Sequence, residues 1–304
     1  MNTGIKISVF FLVALALLTK YYAIPQQITV EKAKKIQTMI KAERDSVQSL
    51  FKDSLRLAAI FFQSRELYLQ GVEVRKNRFY WETSQEIENS TRGFDYFTQA
   101  EKGFSIIINS QPIYSIVFYF RGLSRYQLRY YDLAFGDFNM AIKLNPKDIK
   151  SYYYRGCTNL FLKDYVNAIL DFTKVINNSP NDIGALINRG SAKQFIKDYY
   201  GAYIDFSKSI EILPSKEAYA SRGSLELILN KNGPAKKDFI EAIIISPRSS
   251  SYYLNLSIAY YREHKYKNAL EVCKKGMLIN PEDSTLIRYF EIYNKENIVS
   301  MHKK

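Results

Sequence analysis

Residues 149–182, IKSYYYRGCTNLFLKDYVNAILDFTKVINNSPND, decide the fold, because the punctuation of this stretch recurs along the chain. Within it Gly156, Ala168, Phe172 and Pro180 stand in fixed order. Outward in both directions the prolines fall at 112, 146, 180, 214, 247 and 281, at spacings of 34 residues with one of 33. Twelve residues before each proline is an alanine: Ala100, Ala134, Ala168, Ala202, Ala235 and Ala269. Eight before it stand Phe104, Phe138, Phe172, Phe206 and Phe239, then Cys273. Upstream again come Gly122, Gly156, Gly190 and Gly223, with Ser257 in the last copy. A fixed period of this length marks an array of stacked units.

Each position has a physical reason. A glycine inside a helix costs about 1 kcal/mol relative to alanine, which is tolerable where a neighbouring helix must come close. The alanine serves the same contact from the second helix, and the phenylalanine is expected to fill space between one hairpin and the next. The proline cannot donate into a continuing helix and suits the first turn of a new one. Arg121, Arg155, Arg189 and Arg222 precede the glycines, and Asp137, Asp171, Asp205 and Asp238 follow sixteen residues later. That spacing predicts a bidentate pair between the two helices of one hairpin, a structural feature more than a ligand grip.

The small, small, aromatic and proline positions in this order resemble the tetratricopeptide repeat family, whose unit is a helix–turn–helix. The resemblance covers residues 81–283. It implies an all-α, right-handed solenoid of about six hairpins, at 81–114, 115–148, 149–182, 183–215, 216–249 and 250–283. The first unit departs from the pattern: Glu88 stands for the glycine, and Asn89-Ser90-Thr91-Arg92-Gly93 is expected to disturb its first helix. Residues 284–304 read as a capping helix and tail, with Leu286, Ile287, Phe290 and Tyr293 inward and Arg288, Glu291, Lys295 and Glu296 giving the polar outer face an end unit needs.

Ahead of the array, Lys6 and the apolar run Ile7–Leu18 read as a signal peptide ending at Ala23, too short for a spanning helix. The expected location is therefore exported, periplasmic or secreted, with an uncleaved membrane anchor as the alternative. Residues 24–80 form a helical arm and connector. Its second half is expected to cap the first repeat; its first half, with Ile36, Ile40 and Val47 in a narrow stripe, offers a route to a homo-oligomer. Formal net charge is +13, which favours anionic partners and says nothing about fold. Nucleic acid is disfavoured because no recognition motif accompanies the charge.

Chemistry is sparse. The two cysteines, Cys157 and Cys273, form neither a disulfide framework nor a metal cluster. The two histidines, His264 and His302, have no partner at metal-ligand spacing, and neither a Gly-rich phosphate loop nor a nucleophile elbow occurs. No enzyme activity, cofactor or metal is expected. The resemblance implies instead a concave groove lined by the first helices of successive hairpins. Its positions here are Tyr119, Leu123 and Tyr126, then Tyr153, Leu160 and Phe161, then Ile187, Gln194 and Phe195, then Leu227, Tyr261 and Arg262. Such an apolar, aromatic lining suits an amphipathic helix or extended peptide of a protein partner. Two alternatives stand beside this: the arm folds into the groove, or the chain is a membrane-tethered structural component touching anionic lipid through its basic arm.

Overall fold

The computed structural model describes residues 38, 41, 53, 55–73, 84–110 and 114–302, with backbone alone at 84–92 and 301–302. The signal-like segment, the first half of the arm apart from residues 38 and 41, and residues 74–80 of the connector lie outside the described residues. The chain divides into two compact units, 1–59 and 60–304. In the first, the described residues are helical. The second opens on helical residues 60–73 (α1) and continues through Ser84–Ser110 (α2). Five hairpins then follow: Ser115–Gln127 (α3) with Tyr131–Leu144 (α4), Ile149–Phe161 (α5) with Tyr165–Asn178 (α6), Ile183–Phe195 (α7) with Tyr199–Ile212 (α8), Lys216–Ile228 (α9) with Asn232–Ile245 (α10), and Ser250–Arg262 (α11) with Tyr266–Ile279 (α12). Ser284–His302 (α13) closes the array. No strand occurs among the described residues.

The hairpin expected within 81–114 is instead one helix, α2. The run Asn89–Gly93 does not interrupt it. The second helix of that unit takes its partner from further upstream, in α1. Phe97 and Phe104 are fully buried there: Tyr68 lies 5.7 Å from the Phe97 ring and Phe61 5.9 Å from the Phe104 ring. Phe61 also touches Phe120 of α3 at 5.8 Å, so α1 covers the N-terminal end of the repeats.

Inside the hairpins the repeating residues meet one another. A methyl group added at Gly122, Gly156, Gly190 or Gly223 would come within 2.8, 3.0, 2.6 or 3.2 Å of the phenylalanine sixteen residues on. The ring therefore sits on the glycine of its own hairpin, most tightly at Gly122 and Gly190, where a methyl group would force something to shift. Phe138 also stacks on Tyr154 of the next hairpin at 6.1 Å, so one aromatic serves both contacts. Ala134, Ala168, Ala202, Ala235 and Ala269 are completely buried where the helices cross. Fully burying one such phenylalanine contributes roughly 1.5–3 kcal/mol.

Each first helix stops by the same device. Arg129, Lys163, Lys197, Asn230 and His264 adopt positive φ, between 58° and 65°. The next backbone N–H bonds back across six residues, as Asp164 N–H does to the Asn159 carbonyl at 2.8 Å, and Lys163 N–H reaches the Leu160 carbonyl at 3.1 Å. This is the Schellman stop, built here without its usual glycine. The following helix starts on an aspartate cap where one is available: Asp164 accepts from Asn167 N–H and Asp198 from Gly201 N–H.

A polar spine links hairpin to hairpin. Arg155 holds Asp171 through two bonds, at 3.0 and 2.6 Å, and its third arm donates to Asn139 Oδ1 of the preceding hairpin at 2.6 Å. Arg121 does the same with Asp137 and Ser105, Arg189 with Asp205 and Thr173, and Arg222 with Asp238 and Ser207. The expected intrahairpin pair is present in all four copies. Burial pushes the Asp137 and Asp171 carboxyls upward, and their arginines pull back only in part. The pairs therefore fix geometry more than they add stability.

Candidate protein-binding groove

The first helices of successive hairpins lie side by side, and two adjoining clefts open along them. One, of about 460 Å³, is lined by Tyr126 of α3, by Tyr153, Tyr154, Cys157, Leu160 and Phe161 of α5, and by Asn188 of α7. The other, of about 440 Å³, is lined by Tyr119, Ile149, Lys150, Tyr153, Tyr154, Val175 and Asp182. Tyr153 and Tyr154 form the wall the two clefts share.

In the 149–161 segment the cleft-lining residues Tyr153, Cys157 and Leu160 share one stripe, and Gly156 at its edge faces Phe172. Three consecutive tyrosines, Tyr152–Tyr154, therefore divide. Tyr153 faces the clefts and still touches Phe172 at 5.8 Å, and Tyr154 bridges to Tyr119 at 6.0 Å and Phe138 at 6.1 Å. Tyr152 turns the other way, its ring 5.3 Å from the Arg155 guanidinium. Asn188 closes the floor, donating to the Tyr153 hydroxyl at 3.3 Å and to Cys157 Sγ at 3.6 Å.

Two flat aromatic stacks join successive hairpins, and the first reaches the 460 Å³ cleft through Phe161. Phe161 lies on Tyr131 with centroids 4.5 Å apart and planes 4° from parallel; Phe195 lies on Tyr165 at 4.6 Å and 7°. In each, the end of a first helix rests on the start of the second helix of the preceding hairpin. Phe161 and Phe195 remain 55% and 61% exposed, so each stack offers a free aromatic face.

The electrostatics of the 460 Å³ cleft are simple. Burial drives the Tyr126 and Tyr153 hydroxyls well above the usual phenol range, and the Cys157 thiol up to about 12. All three keep their protons at neutral pH, so the cleft presents hydroxyl donors, an inert thiol and ring faces, with no ionised side chain lining it. Among the described residues no group of three or more His, Cys, Asp or Glu side chains is arranged to hold a metal.

The structure brings together Tyr126, Tyr153, Leu160 and Phe161 of the expected groove in one cleft, with Tyr119 in the other. Phe195 is exposed but lines neither cleft, and Gln194 beside it is half-buried. Leu123 and Leu227 are 3% and 7% exposed and belong to the core, and Ile187 packs against the Ala202–Phe206–Leu225 cluster. Tyr261 turns toward the cap, 4.9 Å from Tyr293, and Arg262 donates to the Leu227 carbonyl, which ties α11 to α9. Tyr154, Asn188 and the stacking partners Tyr131 and Tyr165 were not anticipated. The recurrence of tyrosine at 131, 165 and 199, one per repeat, is the signal that could have found the last two.

No family model matches the sequence, and no curated protein matches it. Solved structures do match the fold. A tetratricopeptide repeat protein from Parabacteroides merdae is 15% identical, with a TM-score of 0.52, covering 76% of this chain and 99% of its own. MamA from Desulfovibrio magneticus, residues 41 to the end, is 19% identical at a TM-score of 0.52, covering 56% of this chain and 97% of its own. YrrB, described as a tetratricopeptide repeat protein with an unusual peptide-binding site, is 16% identical at 0.50, covering 62% and 97%. With its periodic glycines, alanines and phenylalanines seated inside stacked hairpins, the chain has the fold of these tetratricopeptide-repeat solenoids.

Proposed function

We propose that this chain is a non-catalytic interaction scaffold that holds an extended or helical segment of a partner protein against the first helices of its hairpins. The observation that carries the reading is the pair of adjoining aromatic clefts, walled by Tyr126, Tyr153, Tyr154 and Phe161 and free of ionised side chains in the larger one. Solvent-facing rings held in parallel stacks lose little entropy when a ligand covers them, and tyrosine hydroxyls satisfy the ligand's backbone. A solved relative in fold, YrrB, is described as binding peptide, which is consistent with this use. The apolar run at Ile7–Leu18 adds export to the proposal.

The test is a photo-reactive amino acid placed at Phe161 or, as control, at Tyr200 on α8, which is 79% exposed. Expressed in its native cells, the protein should cross-link one stoichiometric partner from position 161 and not from 200. Phe161→Ser with Phe195→Ser should then weaken that complex at least tenfold, with helix content and melting unchanged. Equal cross-linking from both positions, or unaltered affinity in the double variant, overturns the groove assignment. Mass spectrometry of the same sample reads the mature N-terminus: a start at Ile24 supports export, and retention of Met1–Ala23 supports a membrane-anchored protein.

A further inference from the structure

In three of the four hairpins that carry the Arg–Asp pair, the residue one helical turn after the arginine gives the aspartate a second donor. Arg125 Nη1 reaches Asp137 at 2.9 Å, Asn159 Nδ2 reaches Asp171 at 3.2 Å, and Lys193 Nζ reaches Asp205 at 2.9 Å. In the fourth hairpin that position is Glu226. It is 4% exposed, and its Oε2 has no hydrogen-bond partner. An acid replaces a base or amide where the neighbour is already an acid.

The charges around Glu226 come from three elements. Arg222 on its own helix, α9, is engaged by Asp238 of α10 at 2.7 and 2.8 Å. Tyr203 of α8 lies 5.8 Å from the Arg222 guanidinium. Lys231, in the turn after α9, is exposed. Two buried carboxylates thus face one guanidinium. Burial first, and the Asp238 charge second, push Glu226 up to about 7, against the pull of Arg222 and Lys231. The same hairpin is joined to its predecessor by the shortest link in the array, Leu213–Ser215, at the single place where the proline spacing drops to 33.

We propose that Glu226 makes the seating of α9 against α8 and α10 proton-dependent: uncharged, its carboxyl packs beside the Arg222–Asp238 pair; ionised, it competes with Asp238 for Arg222 and loosens this hairpin. A carboxyl whose folded value is raised favours the protonated chain. Stability is complete below the ordinary glutamate range, falls as pH climbs through about 7, and changes no further above that. The joint therefore responds between the ordinary glutamate range and about pH 7, a window that extends above that of ordinary carboxylates. Because α9 also carries Leu227 and Ile228, movement there would reach the first-helix face; that consequence, unlike the switch itself, rests on the proposed groove.

Hydrogen exchange of the full chain tests this, with opening constants corrected for the intrinsic pH dependence of exchange. Between pH 5.5 and 8.5 the opening constant of 216–245 should rise on the order of ten- to a hundredfold relative to 149–178, which serves as a control within the same molecule. Glu226→Gln should abolish the difference, and Glu226→Lys should do so while protecting the hairpin most at pH 8.5, as Lys193 does one hairpin earlier. Parallel pH behaviour of the two segments in the wild type overturns the proposal without any variant. Persistence of the slope in Glu226→Gln overturns the assignment to this residue.

Discussion

In the four hairpins between Ser115 and Ile245 an arginine on the first helix grips an aspartate on the second; in the last hairpin the same two positions carry Leu256 and Val272. Leu256 is 5% exposed and packs with Phe239 and Ala259, and Val272 borders the same cluster. The glycine changes with them. Ser257 takes its place, fully buried, bonding the Leu254 carbonyl at 2.7 Å and lying 3.3 Å from the Tyr293 hydroxyl of the cap. One backbone arrangement thus tolerates an ion pair or an apolar pair at its centre. Desolvating two charges offsets most of their attraction, so the two solutions are close in energy. What separates them is directional: the arginine also reaches back to the preceding hairpin and sets the register of the stack.

That comparison can be broken at its strongest point. Asp171→Ala strands the Arg155 guanidinium in a half-buried site, and should cost roughly 3–5 kcal/mol in urea unfolding of the full chain. Val272→Asp plants the acid in the last hairpin without its arginine and should cost a similar amount. A loss well under 1 kcal/mol from Asp171→Ala would show that the spine does not set hairpin geometry. A feature common to both regions gives a smaller, matched effect. Lys163 and His264 each hold a left-handed turn, so Lys163→Gly and His264→Gly should each stabilise by about 1 kcal/mol. Unequal gains would mean that the turns differ despite their shared φ. The smallest expected change is the most informative. Arg155→Leu combined with Asp171→Val transplants the last hairpin's apolar pair into the third repeat and should leave stability within about 2 kcal/mol of wild type. Raised exchange across the α4–α5 junction in that variant, where the Arg155–Asn139 bond is lost, would isolate the register function.

The hairpins between 115 and 279, and the Arg–Asp pair inside four of them, were legible from sequence because the information is periodic and local. An arginine faces an aspartate sixteen residues on in four repeats, so repetition exposes that contact before any coordinate does, whereas the phenylalanine, expected between hairpins, is seated on the glycine of its own hairpin. Residues 81–114 broke that logic. Their polar run suggested an interrupted helix, yet α2 runs through it, and Phe97 and Phe104 find their partners in α1, upstream of the expected unit. The groove shows the same division. Tyr126, Tyr153, Leu160 and Phe161 follow from their place in the repeat, whereas Leu123 and Leu227 share that pattern and are buried, since side-chain direction at the edge of a stripe depends on the neighbouring hairpin. The stacks of Tyr131 on Phe161 and Tyr165 on Phe195 cross from one hairpin to the next, and Glu226 looks like any surface glutamate until Asp238 is set beside it. The sequence by itself determined the repeating hairpin and its Arg–Asp pair, which act within one period. Tertiary structure alone decided what lies between hairpins, because stacking angle, ring-on-ring contact and the burial of a charge depend on elements that no single repeat contains.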